Sequence, residues 1–286
     1  KDLYEHSDKV KALYNLASEE IGEDLAKLSF EGPAEELKRT RFTQPAILVH
    51  ALSVLTLLGD KTPHFDFACG HSLGEYAALA VSGALTFEDA IKAVVKRASL
   101  MEDACQKNPG TMAAIMGLAE ETVTEICTQA SDGGVVIPAN FNSKIQIAIS
   151  GSIVSVEKAV ELAKESKAKR AMLLEVGGAF HSPLMEPAKI GMEAYLRDVT
   201  ISDPKIPVVA NVTAQTVMSG DDIRNLLVQQ ITAPVRWSQT MTFLLDNDVT
   251  TVYEIGPGKV LSGLAKREMK PEKIINLDTL DDIEKI

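Results

Sequence analysis

The sequence predicts an α/β fold: a mostly parallel sheet covered by helices on both faces, interrupted by a compact insert. Three observations carry this. Short apolar runs alternate with amphipathic stretches at helical spacing through most of the chain, the pattern of a parallel sheet with crossover helices. In the middle the rhythm changes to strand, helix, strand, strand, helix, strand. Proline–glycine at 109–110 and glycine–glycine at 177–178 bracket that stretch.

In order, PAILVHALSVLTLLG (45–59) has a proline for a first helical turn and a closing glycine, and predicts a buried helix. HFDFACG (64–70) alternates and ends in glycine, which suits a strand, and LGEYAALAVSG (73–83) follows as a helix. FEDAIKAVVKRASLMEDA (87–104) sets Ile91, Val94, Val95, Ala98 and Met101 at helical spacing. Strand TMAAIMGL (111–118) and helix EETVTEICTQAS (120–131) begin the insert. VVIPAN (135–140) and IQIAIS (145–150) predict a hairpin about Asn142-Ser143. Helix 154–168 and strand AMLLEV (171–176) complete a split β-α-β unit of ferredoxin-like type. This divides the chain into a discontinuous domain, 1–107 with 178–286, and an inserted subdomain, 108–177. Beyond it, helices near 183–198, 222–231 and 259–268 alternate with strands at 207–211, 251–256 and 274–277.

Bulk properties exclude several functions. The formal net charge of −11 argues against nucleic-acid or anionic-membrane partners. Cys69, Cys105 and Cys127 lie far apart with no metal-ligand spacing, so reduced thiols and no metal site are expected. The charged start KDLYEHSDKVK lacks a signal-peptide pattern, and the apolar run Ala46–Leu58, broken by His50 and Ser53, is too short to span a bilayer. A cytoplasmic chain is expected. GPGK (256–259) lacks P-loop spacing and reads as a strand-to-helix turn.

Gly70-His71-Ser72-Leu73-Gly74 fits G-x-S-x-G, the nucleophile elbow, with a strand before it and a helix after it. The glycines permit the sharp turn that exposes Ser Oγ, and the Leu73 N–H would face a developing oxyanion. Ser72-Leu-Gly-Glu75 is equally S-x-x-E, a capping box, so the motif alone leaves both roles open. Among possible bases, His6 is expected to be solvated and His50 to be a hydrogen-bonded core residue. His64 begins a strand, and His71 should point away across the elbow. His181 lies in GGAFHSPLM (177–185), a glycine-rich loop of the kind that carries catalytic groups. Arg97 falls about 95° from the centre of its helix's apolar stripe, at roughly 100° per residue, which reads as a boundary arginine with a solvated head. The alternative is a fork for a substrate carboxylate.

GHSLGEYAALAVSGALTFEDAIKAVVKRASLM, GTMAAIMGL, NFNS, GAFHSPLM, PVVANVTA, QITAPVRW and YEIGPGKVLSGL occur in this order. Together they resemble the malonyl-CoA:acyl carrier protein transacylases of bacterial fatty acid synthesis, relatives of polyketide synthase acyltransferase domains. The resemblance implies an α/β-hydrolase-like large domain with a ferredoxin-like insert, and ping-pong transfer of malonyl from coenzyme A to acyl carrier protein through an acyl-serine. By residue, it implies Ser72 as nucleophile and His181 as general base. The main-chain carbonyl of Gln230 would orient that base, and Leu73 N–H would serve as an oxyanion donor. Arg97 would hold the malonyl carboxylate, with His71 and Phe180 in the substrate pocket, Phe180 in the form associated with malonyl selection. Lys169 and Arg170 would dock the carrier protein. A monomer without cofactor is expected, coenzyme A being a substrate handle. The family opens with a strand and a GQGxQ loop that supplies a second oxyanion donor, whereas Lys1–Tyr4 match the part just after it. A shortened chain is therefore expected, with Leu73 as sole donor. Gly177-Gly178 also stand where the family often has a less flexible residue. The competing readings are a serine hydrolase or thioesterase with the same elbow, and a non-catalytic module that binds carrier protein.

Overall fold

The computed structural model describes residues 1–286. The chain opens with four helices in a stretch to which no element was assigned from sequence: α1 Asp2–His6, α2 Asp8–Ile21, α3 Leu25–Glu31 and α4 Ala34–Leu37. They form because apolar residues recur at helical spacing; α2 turns Val10, Tyr14 and Ala17 inward, and Asp24 caps α3 through the Lys27 N–H. Tyr4, Tyr14 and Phe30 meet with ring centroids 5.3 Å apart and join α1, α2 and α3 to one another.

Helix α5, Thr40–Leu58, starts earlier than the proline suggested; Pro45 lies inside it, where it forfeits the one bond to the carbonyl four residues back. With its 3-10 extension it is long and apolar enough to cross a membrane by length and composition. It is packed instead against α2 and the later core helices α6 (Gly74–Val81) and α7 (Phe87–Lys107). Between α5 and α6 lies β1, which is only Ala68–Cys69. The rest of HFDFACG packs side chains rather than pairing: Phe65 lies against Tyr253 and Phe67 against Phe243.

The central segment contains β2 Thr111–Met116, α8 Glu120–Ala130, β3 Val136–Ser143, β4 Gln146–Gly151, α9 Ile153–Glu165 and β5 Arg170–Leu173. Its sheet runs β3-β4-β2-β5, antiparallel at every step. The hairpin turn sits at 144–145, not at Asn142-Ser143, because β3 absorbs extra residues at irregularities between Pro138 and Asn140 and between Phe141 and Ser143. Ile115, Ile147, Ile149, Val123 and Val156 form a separate small core under α8 and α9.

The remaining elements are α10 Glu186–Leu196, β6 Val208–Val209, β7 Thr216–Val217, α11 Gly220–Gln230, α12 Trp237–Asp246, β8 Thr251–Ile255, α13 Val260–Glu268, β9 Lys273–Leu277 and α14 Leu280–Glu284. The fold is mixed α/β, but a single, mostly parallel sheet is not what forms. Two small sheets appear, β1-β6-β7, in which only β1·β6 is parallel, and the parallel pair β8-β9. The apolar runs are real; they are spent on helix packing, and only a few residues of each complete a ladder. One connection matters for the site. Phe141 N–H donates to the Val235 carbonyl and Val235 N–H to the Ala139 carbonyl, each 2.9 Å, tying β3 to the segment before α12.

Candidate active site

The turn between β1 and α6 is as tight as its glycines require. A Cβ on Gly70 would lie 2.0 Å from the Gly74 carbonyl oxygen, so no other residue fits there. Ser72 takes φ +51°, a left-handed conformation that a serine adopts only when its surroundings enforce it. Asn211, just after β6, enforces it: its Oδ1 accepts the Ser72 N–H at 2.7 Å and its Nδ2 donates to the Gly70 carbonyl at 2.6 Å. Ser72 Oγ lies 2.8 Å from His181 Nε2 and accepts from Arg97 Nη2 at 3.0 Å. The capping-box reading is therefore wrong. The N-cap position of α6 is Leu73 with no side-chain cap, and Glu75 is engaged elsewhere. The Leu73 N–H makes no hydrogen bond, while those of Gly74, Glu75 and Tyr76 donate back to His71, Ser72 and Leu73.

His181 is also held at positive φ, +56°, and is 3% exposed. Its Nδ1 lies 2.8 Å from the Gln230 main-chain carbonyl. A carbonyl only accepts, so Nδ1 carries the proton and Nε2 is free to accept from Ser72. Burial, then the Arg97 charge, pushes the imidazole down to about 3, against the Gln230 bond that favours protonation. The ring is neutral at physiological pH, as a base must be. Gly178 leads into this loop because a Cβ there would lie 2.1 Å from Cys105 Sγ; the apparent excess flexibility is a close approach to α7.

Arg97 is 1% exposed, which overturns the solvated-boundary reading. Helix periodicity sees one face, but α5 and α10 both pack on α7 and cover the edge of its stripe. Arg97 Nη1 donates to Gln44 Oε1, and Nη2 donates to Gln230 Oε1 at 3.0 Å as well as to Ser72. The guanidinium lies over the Tyr76 ring, and its Nε is buried without a partner. Burial lowers the Arg97 pKa, opposed by Tyr76 and Glu75.

The structure thus brings together Ser72, Leu73, His181, Gln230 and Arg97. His71 turns away from the serine, as expected: its Nε2 lies 2.9 Å from Asn142 Oδ1 and its ring against Trp237. Phe180 is half-buried beside His181. Lys169 and Arg170 are exposed at the start of β5, outside this cluster; the Lys169 stem lies where a Cβ on Gly117 would be. His6 and His64 are exposed, and His50 is bound to the carbonyl and carboxylate of Asp278.

Three residues escaped the sequence analysis as members of the site. Gln44 seemed only to precede a helix, and Asn211 only to end a strand. Glu75 was read as a cap. It is 2% exposed, accepting from the Gln230 amide at 2.7 Å and from the Asn211 N–H at 3.2 Å, and burial pushes its carboxyl up to about 7 despite those bonds. No three His, Cys, Asp or Glu side chains converge to hold a metal ion. A cavity of about 370 Å³ between the start of α5 and the end of α7 includes neither Ser72 nor His181, so the site is defined by its hydrogen bonds.

Comparison with known proteins follows the same lines. The acyl transferase domain family matches residues 1–278. The malonyl CoA-acyl carrier protein transacylase of Bacillus subtilis (strain 168) is 42% identical over 285 residues, covering 99% of this chain and 90% of the relative. That of Haemophilus influenzae is 42% identical over 256 residues, 89% of this chain and 82% of the relative. The solved malonyl CoA-acyl carrier protein transacylase of Coxiella burnetii superposes with a TM-score of 0.93 at 37% identity, covering 99% of this chain and 90% of the other. A type II polyketide acyl carrier protein complexed with its malonyl-transacylase gives 0.93 at 36% identity, covering 99% and 92%.

Proposed function

The chain belongs to the acyl transferase domain family and moves a malonyl group from coenzyme A to acyl carrier protein, and we propose that it does so through an ester on Ser72. The observation that carries this reading is the 2.8 Å contact between Ser72 Oγ and the free nitrogen of a neutral, oriented His181. His181 Nε2 takes the hydroxyl proton as Oγ attacks the thioester carbonyl. The oxyanion forms at the unbonded Leu73 N–H, a donor of a kind worth about 2.7–4 kcal/mol in comparable sites. As the carbonyl re-forms, the carbon–sulfur bond breaks and coenzyme A leaves with the proton from His181. The phosphopantetheine thiol of the carrier protein then repeats the sequence in reverse, giving ping-pong kinetics. Gln230 contributes its main-chain carbonyl where other serine enzymes use an acid, orienting the ring without a second charge.

Arg97 holds the malonyl carboxylate, and its unpartnered Nε supports that role. Pairing with the carboxylate offsets the Arg97 charge, the second largest of the effects that depress His181 after burial, so the correct substrate strengthens its own base. His71 and Phe180 belong to the pocket wall, and Lys169 with Arg170 offers cations to an acidic carrier protein. No cofactor is required, since the thioester supplies the activation. A cytoplasmic monomer is the form in which we expect it to act; the three cysteines are free thiols, which suits a reducing compartment. We also read 108–177 as a ferredoxin-like subdomain inserted in an α/β-hydrolase-like domain of 1–107 and 178–286, supported by the order β3-β4-β2-β5 and its separate core.

Intact-protein mass measurement after mixing with malonyl-CoA tests the central step. One malonyl mass is expected on the wild type and none on Ser72→Ala; an equal adduct on both, or none on either, sinks the acyl-serine. Release of the adduct by carrier-protein thiol and not by water separates transfer from the hydrolase alternative, and its formation disposes of the non-catalytic one.

A further inference from the structure

We propose that Glu75 is a positioning residue for acyl selection: its carboxylate decides which end of the Gln230 side-chain amide faces Arg97, and so holds the guanidinium where it grips malonyl. The inference rests on the reading of Arg97 given above. An amide has one donating and one accepting end, and the two places around Gln230 demand opposite ends. On one side stand acceptors only: Glu75 Oε2 at 2.7 Å and the Ser72 carbonyl at 3.0 Å, both receiving from Nε2. On the other side stands the donor-only guanidinium, whose Nη2 gives to Oε1 at 3.0 Å. A flipped amide would set oxygen against oxygen and N–H against N–H. Gln44 accepts Nη1 from the opposite side, so the guanidinium is clamped between two amide oxygens.

Glu75 touches neither Ser72 Oγ nor Arg97 through a hydrogen bond, and acts only through Gln230. It is fixed in turn by the N–H of Asn211, the residue that clamps the serine turn. One acid in the first turn of α6 therefore links the nucleophile's backbone to the specificity arginine. Both hydrogen bonds of that carboxyl go outside its own helix, and placing one at 2% exposure is costly unless such bonds have a use.

The test compares malonyl-CoA and acetyl-CoA as donors to acyl carrier protein for the wild type, Glu75→Gln and Glu75→Asp, each checked for a cooperative melt. Glu75→Gln puts an amide oxygen where Oε2 stood and accepts both bonds without charge. Glu75→Asp keeps the acid and withdraws it by one methylene. The aspartate variant is expected to lose about ten- to a hundredfold in the malonyl-to-acetyl ratio of kcat/KM, mainly through a higher KM for malonyl-CoA, as for loss of one hydrogen bond in a charged network. The glutamine variant should hold the ratio within about threefold, because the acceptor rather than the charge does the positioning. An aspartate variant with the wild-type ratio, or a glutamine variant that loses as much as aspartate, overturns the proposal. If the aspartate variant does not melt cooperatively, Gln230→Met removes the same link from its other end; a wild-type ratio there overturns it equally. A wild type that shows no preference for malonyl would instead overturn the role of Arg97, so the two failures are distinct.

Discussion

Arg97 shows how a single side chain can be decisive and yet unreadable from its own helix. Its charge is sequestered at 1% exposure, and its donors are spent on Gln44, Gln230 and Ser72 apart from Nε. Replacing it by alanine removes the charge-assisted bond that the free Nε can give to a carboxylate, about 1.5–3 kcal/mol, so kcat/KM for malonyl-CoA should fall roughly 10–10²-fold. Acetyl transfer, which has no carboxylate to lose, should fall far less; steady-state rates with both donors check this, and equal losses would contradict it. Ser72 and His181 were legible because a turn pattern and a glycine-rich loop advertise them. Gln44, Asn211 and Glu75 were not. Their importance comes from being brought within 3.2 Å or less of residues 53 to 155 positions away, which no local pattern encodes.

Among elements, the serine turn is the most constrained. Gly70→Ala drives a Cβ against the Gly74 carbonyl, backbone against side chain, with no flexible neighbour to yield. Overpacking of this kind costs about 3 kcal/mol, enough to lower Tm by ~6–12 °C in a chain of this size. Thermal melting with a parallel assay of malonyl adduct should show both stability and acylation reduced; a variant with wild-type Tm and full acylation would show that the turn relaxes freely. The helices that flank the predicted strands were legible from their periodicity, and α7, expected over 87–104, runs Phe87–Lys107. Helices α1–α4, α12 and α14 were not, although α2 spans 14 residues, because length alone does not make a stretch stand out when its charged and apolar residues are interspersed. The large-domain strands were not, because β1 and β6 are two residues each and their flanking aromatics look the same whether they pair or pack. The four-stranded unit was legible in order but not at its hairpin, where irregularities in β3 lengthen the strand.

At the scale of the whole molecule, two buried groups set opposite pH dependences. His181 titrates near 6.5 when unfolded and near 3 when folded, so its contribution is complete above pH 6.5 and lost as pH falls toward 3. Glu75 titrates near 4.5 unfolded and near 7 folded, so its contribution is complete below pH 4.5 and lost as pH rises through 7. Between about pH 4.5 and 6.5 unfolding binds one proton at the histidine and releases one at the glutamate, and these slopes cancel. In denaturant titrations His181→Gln should uncover a fall in stability as pH rises across that window, and Glu75→Gln a fall as pH drops; parallel profiles for both variants would refute the pairing. The wiring of the site also has a temporal side. Ser72 meets His181 across 109 residues, and that connection runs through every strand of β2–β5. A helix recovers its ordering cost turn by turn from local bonds, whereas closing so long a loop loses entropy before any contact compensates it, so a nascent chain acquires its helices early and its chemistry last. A half-folded copy is therefore mute: it cannot draw acyl groups from the coenzyme A pool before it is able to hand them on.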